Sequence, residues 1–190
     1  MKNIYPIIVP ASYFNLTDEA RKHALPGLDA FGIVKPLGNG LYSLLVQVTK
    51  DFIKNLHESE AAEMGLDRAG AERAALDNLS ALVEAGEFQA QLAQPPSGFN
   101  YAVWLGGRFT SSCILWPGLH EWARRELEAD RIIVSAPQAE LLCVAALGTA
   151  EFRRDIQSYM DNVVSDIDKR ISTEWFELTA DGIVPLRSAD

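Results

Sequence analysis

From Gln89 to His120 the chain carries one charged side chain, Arg108, and five aromatic rings: Phe99, Tyr101, Trp104, Phe109 and Trp116. Rings of that size leave water only when something packs over them, so any fold this chain adopts must cover the stretch. Two readings follow. In the simpler one the rings, Trp104 among them, belong to the core. In the sharper one they line an apolar pocket or partner groove whose polar group is Arg108. At 190 residues and 48% hydrophobic, one domain can bury about 70% of its extended-chain surface without metal or disulfide support. A single domain over residues 1–190 is therefore expected, and the composition excludes disorder and a coiled coil.

Short strands and helices alternate irregularly around that stretch. Ile4 to Val9 reads as an edge strand, because Pro6 and Pro10 limit ladder donation. Thr17 can cap a helical turn through Ala24. Phe31 to Val48 reads as strand, turn, strand about Gly38-Asn39-Gly40. A helical region is predicted from Lys50 to Met64, and a second helix from the cap Asp67 to Ala85, closed by Gly86. Pro95-Pro96-Ser97-Gly98 marks a loop inside the domain. Beyond it come a strand at Tyr101 to Leu105 and a helix at Leu119 to Leu127. The latter is laced by Glu121 with Arg125 and Arg124 with Glu128. A strand at Ile132-Ile133-Val134, ended by Pro137, precedes a long helix from Thr149 to Arg170 with Phe152, Ile156, Met160, Val163 and Ile167 on one face. Trp175 to Leu178 and Ile183 to Leu186 flank Ala180-Asp181-Gly182 as a terminal hairpin. Together these predict an α+β domain, a mixed β-sheet with hairpins covered by three to four helices.

Charge narrows the partners. Seventeen basic residues against 26 acidic ones leave a net charge of −9, which repels polyanions and argues against nucleic-acid binding. Glu58 to Glu87 alone holds eight carboxylates against Arg68 and Arg73. That acidic 58–87 face is either a solvated helical surface or a docking face for a basic protein partner, such as a nuclease toxin. Cys113 and Cys143 sit in apolar runs and read as two buried thiols rather than a bridge. No signal peptide is readable at the N-terminus, and the uncharged run Phe88 to Gly107 is too rich in Gln, Asn and Pro to span hydrocarbon. A cytoplasmic protein without membrane contact is expected.

Templates for catalysis are mostly absent. There is no phosphate loop, and Gly38-Asn39-Gly40 lacks the third glycine of a dinucleotide fingerprint. His23, His57 and His120 form no pair at metal-ligand spacing, so neither metal nor cofactor is expected. No Gly-x-Ser-x-Gly elbow occurs. Ser111, Ser112 and Cys113 precede His120 closely, but nucleophile and base are paired by space rather than by sequence.

Four segments, taken in order, resemble the YtpQ-like family, bacterial proteins known as a domain of unknown function. They are Met64-Gly65-Leu66-Asp67 leading to Ala75-Leu76-Asp77-Asn78-Leu79, then Thr110 to Leu115, then Ile132 to Pro137, then Trp175 to Leu178 with its hairpin. The resemblance covers Leu41 to Leu186 and draws attention to Asn78 and Ser112. It also implies an Arg-Asp pair after the proline, where this chain has Pro137-Gln138-Ala139-Glu140 and Glu140 lacks that arginine. The candidate binding residues are thus Arg108, Ser112, Glu140, Asn78 and Trp104. The leading expectation is a non-enzymatic binding or accessory protein. The alternatives are an immunity-type protein neutralising a basic toxin, and a hydrolase-like enzyme using Ser112 or Glu140 beside Arg108.

Overall fold

The computed structural model describes residues 3–14, 27–93, 98, 100–148, 150–163 and 170–186. Among the described residues, ten strands and four α-helices confirm the α+β class. The strands divide between two sheets instead of sharing one, and every pairing is antiparallel. The first sheet is built on β3 (Leu41–Val48), flanked on one side by β1 (Ile4–Pro10). On its other side β2 (Val34–Gly38) and β4 (Ile53–Asn55) lie end to end. Where those two meet, Ile33 N–H donates to the Leu56 carbonyl at 2.8 Å and Leu56 N–H to that of Leu45 at 2.9 Å. The second sheet follows the order β10-β9-β7-β8-β6-β5. Its strands are β5 (Phe88–Ala93), β6 (Tyr101–Gly106), β7 (Ile132–Gln138), β8 (Leu141–Ala146), β9 (Phe176–Thr179) and β10 (Gly182–Pro185).

Local chemistry explains where the elements begin and end. Helix α2 (Arg68–Glu84) starts at Asp67, whose carboxylate accepts from Gly70 N–H at 2.7 Å, and it is followed by Gly86 at φ 75°. The helix expected from Lys50 is a correction. Thr49 and Phe52 close a hairpin turn through Thr49 N–H to Phe52 C=O at 2.9 Å, so Ile53–Asn55 joins the sheet. Only α1 (Glu58–Glu63) is helical there, and Glu60 reaches back to His57 N–H at 3.0 Å. Pro137 does not end β7, because the register shifts between Ser135 and Gln138 and takes the proline out of the ladder. Helix α3 (Leu119–Leu127) stops as expected, but Glu128 turns away at φ 49°. Arg124 pairs with Asp130 and Arg125 with Glu126 in place of the expected four-apart partners. Helix α4 (Ala150–Val163) does not extend to Arg170, which lies outside it. The turn at Thr17 to Ala24, the Pro95-Pro96-Ser97 segment, Phe99 and the Ile167 end of the helix lie outside the described residues. Strands β5 and β8 were not expected.

Packing follows the two-residue period of the strands. In the second sheet Ile132, Val134, Leu142 and Val144 face α3 and the 3-10 turn Ser111–Leu115, while Ile133, Leu141, Cys143 and Ala145 face Phe152 and Ile156 of α4. In the first sheet Ile4 and Leu45 pack on Ala71 and Ala75 of α2, and Val9, Val34 and Leu44 pack under Phe14 and Phe31. The largest cluster takes Ile8 and Leu41 from the first sheet together with the inner face of the second. Burial of Cys113 and Cys143, both unbridged, pushes each thiol up to about 12. Iodoacetamide at pH 8 is therefore expected to label neither cysteine in the folded protein and both after denaturation; native adducts seen by mass spectrometry would contradict that burial.

Candidate functional site

The five residues singled out by sequence do not form one site. Trp104 is 4% exposed and meets Trp122 edge-on at 4.7 Å and Trp116 at 6.0 Å between ring centres, which makes it core. Its indole N–H has no hydrogen-bond partner. Asn78, also buried, donates to the Ile4 carbonyl at 2.8 Å and so ties α2 to the first strand. Ser112 is fully buried in the 3-10 turn, and its hydroxyl has no partner. Among the described residues no base hydrogen-bonds to it to raise its nucleophilicity. Glu140 is exposed in the tight turn between β7 and β8. Arg108 is exposed beside a groove that takes in its neighbours Ser111 and Ala139 but neither Ser112 nor Glu140. The hydrolase-like arrangement of Ser112 or Glu140 with Arg108 is thus not assembled.

A ligand-sized cleft of 430 Å³ instead opens where the two sheets meet. Six parts of the chain surround it: Pro6 of β1, the β2–β3 hairpin, α2, the Ile114–Pro117 stretch, the start of α3 and the β9–β10 hairpin. Its floor is apolar because the inward face of each element already belongs to the core; Ile33, Leu45, Ala75, Ile114 and Leu178 are all buried. Trp116 supplies an aromatic wall. Among the described residues, four titratable side chains line it: the cationic Lys35, the imidazole of His120, and the acidic Glu72 and Asp181. Glu72 also meets Arg68 at 3.4 Å. Charges of both signs line the cleft, and the rest of its described lining is largely apolar.

No spacing rule could have assembled these residues, since they run from position 6 to position 183. In the sequence His120 and Asp181 read as helix and turn residues and Glu72 as one carboxylate of the acidic 58–87 run, so none of the three signals a cleft.

The acidic 58–87 face is partly neutralised from within. Glu60 pairs with Lys54, and Glu58 and Glu72 with Arg68, at 3.1 and 3.4 Å for the latter two. The Lys54 ammonium and the His57 amide hold the Glu60 carboxyl below its usual range, the amide contributing more. Asp77, Glu84 and Glu87 stay exposed. Among the described residues no helix is long and apolar enough to cross a membrane, and no three His, Cys, Asp or Glu gather as a metal site. No family model, curated protein or solved structure matches the chain.

Proposed function

We propose that this chain is a cytoplasmic, non-enzymatic binding protein that holds a small, mainly apolar molecule in the cleft between its two sheets, and that it is a relative of the YtpQ-like proteins. The cleft itself carries the reading: it falls within the volume range of small-molecule sites, with an apolar floor and a few polar groups at its edge. The unpartnered Ser112 hydroxyl and the dispersal of Arg108, Ser112 and Glu140 support binding over turnover.

Fragment screening by saturation-transfer NMR tests it. Apolar fragments are expected to bind and to shift Trp116 emission. Leu76→Trp in the cleft wall, or Lys35→Trp at its exposed rim, should weaken them by about tenfold or more while the protein still unfolds cooperatively. Fragments indifferent to both substitutions would overturn the assignment. A second reading, the immunity-type protein, is supported by Asp77, Glu84 and Glu87 remaining exposed on and just beyond α2.

A further inference from the structure

The second sheet ends on β5, which pairs with β6 on one side and, among the described residues, with no strand on the other. Such an edge offers backbone donors and acceptors to any chain that can lie along it, and folded proteins usually blunt it with proline, lysine, a bulge or a very short strand. The other described edges carry blocks of this kind. β1 has Pro6 and Pro10, and β2 has Lys35, Pro36 and a register shift. β4 is three residues long with Lys54 at its centre, and β10 has Pro185 among its four. By contrast Phe88-Gln89-Ala90-Gln91-Leu92-Ala93 contains no proline, glycine or charge, and its pairing with β6 is uninterrupted.

Ladder parity tells which backbone groups this edge presents. Ala146 N–H donates to the Asn100 carbonyl at 3.0 Å, in register with the pairing of Tyr101 and Ala145. Even-numbered residues of β6 therefore bond to β8 and odd-numbered ones to β5. Leu105 lies opposite Gln89 and Val103 opposite Gln91, so the β5 residues that bond to β6 are odd-numbered as well. The N–H and C=O groups of Phe88, Ala90 and Leu92 point outward. Ala90 and Leu92 are also exposed as side chains, Leu92 at 53% although it is apolar.

We infer that β5 pairs antiparallel with β5 of a second copy of this chain, about a two-fold axis at Ala90, joining two six-stranded sheets into one. The order of residues points to a second copy: from Phe88 to Leu92 the strand reads apolar, Gln, Ala, Gln, apolar in either direction, which is what a self-complementary antiparallel contact needs. In that register Ala90 meets its own counterpart, Phe88 meets the partner's Leu92 and Gln89 meets the partner's Gln91. Every outward residue then lies opposite another outward residue, so each such pair exchanges both of its backbone bonds. Phe against Leu gives an apolar cross-strand contact on one face, and the glutamine amides meet on the other. Charge agrees, because two molecules at −9 repel where acidic surfaces meet and this register opposes no like charges. No residue of β5 lines the cleft, so this contact and ligand binding stand or fall separately.

Sedimentation velocity on the full chain is expected to show a monomer–dimer equilibrium with Kd of about 1–100 μM, as suits a small edge contact, tightening as salt screens the net charge. Amide hydrogen exchange should slow at Phe88, Ala90 and Leu92 as concentration rises. Ala90→Lys and Ala90→Glu each set like charges against themselves on the axis, and each should weaken the dimer by about tenfold or more. Because Ala90 is exposed, both variants should keep a near-wild-type thermal midpoint in dilute solution. An equimolar mixture of the two should dimerise again. A dimer that survives both substitutions, or a mixture that stays monomeric, would overturn the assignment. So would a wild-type chain still monomeric at about 500 μM, well above the expected Kd, even if an unrelated extended peptide slowed exchange at those amides.

Discussion

Replacing Trp104 by Ala costs the protein about 3–5 kcal/mol, a large part of the roughly 5–15 kcal/mol that holds a typical domain folded. The indole is 4% exposed and sits between Trp122 and Trp116, so truncation leaves a void that two other large rings must collapse into. Thermal unfolding followed by circular dichroism should show a midpoint lower by about 2–4 °C for each kcal/mol lost. Trp104→Phe is the informative companion. It keeps an aromatic ring and removes the indole N–H, which is buried without a partner and carries a desolvation cost of about 1–3 kcal/mol. The Phe variant should therefore lose far less than the Ala variant. An unchanged midpoint for Trp104→Ala, with ligand binding lost, would move this ring from the core to a site.

The second large effect is expected at Gly32. Its φ of 117° belongs to a region that side-chain-bearing residues rarely adopt, and a Cβ there would stand 2.7 Å from the Leu56 carbonyl oxygen. That oxygen accepts from Ile33 N–H at the junction where β2 and β4 meet along β3. Gly32→Ala thus adds a backbone collision to about 1–3 kcal/mol of conformational strain. Gly27 separates the two contributions, having φ 116° with nothing within 4 Å of its would-be Cβ. Chemical denaturation should find Gly32→Ala clearly less stable than Gly27→Ala; equal losses would mean that the Leu56 carbonyl yields without cost.

Capping and periodicity made much of the architecture legible. Asp67 and Gly86 bracket α2 because their chemistry is local, and Phe152 with Ile156 mark the buried face of α4 because a helix repeats within a few residues. What failed was non-local. Ile53-Lys54-Asn55 is too short to show a two-residue period, and its pairing is decided by β3. The bulge that carries Pro137 inside β7 depends on β8. Phe88–Ala93 is exposed along most of its length, so its hydrophobic pattern is faint and only the β6 ladder identifies it. At the sites the contrast is sharper. Arg108 stands out as the single charge in its stretch, whereas Arg170 reads as part of a helix and the structure leaves it outside α4. Ser112 and Glu140 are close in sequence to Arg108 and to the β7–β8 turn, yet one is turned into the core and the other into solvent.

The β9–β10 hairpin closes the cleft from far along the chain: Leu178 to Ile183 form one wall and Pro6 part of another, and Pro185 lies so near Gly38 that an added Cβ would be 2.9 Å from its ring. Chain order thus separates the strands of the first sheet, which run from Ile4 to Asn55, from the wall that β9 and β10 supply to the cleft. On the proposed reading, a chain without β9 and β10 keeps every strand of the first sheet and lacks one wall of the cleft.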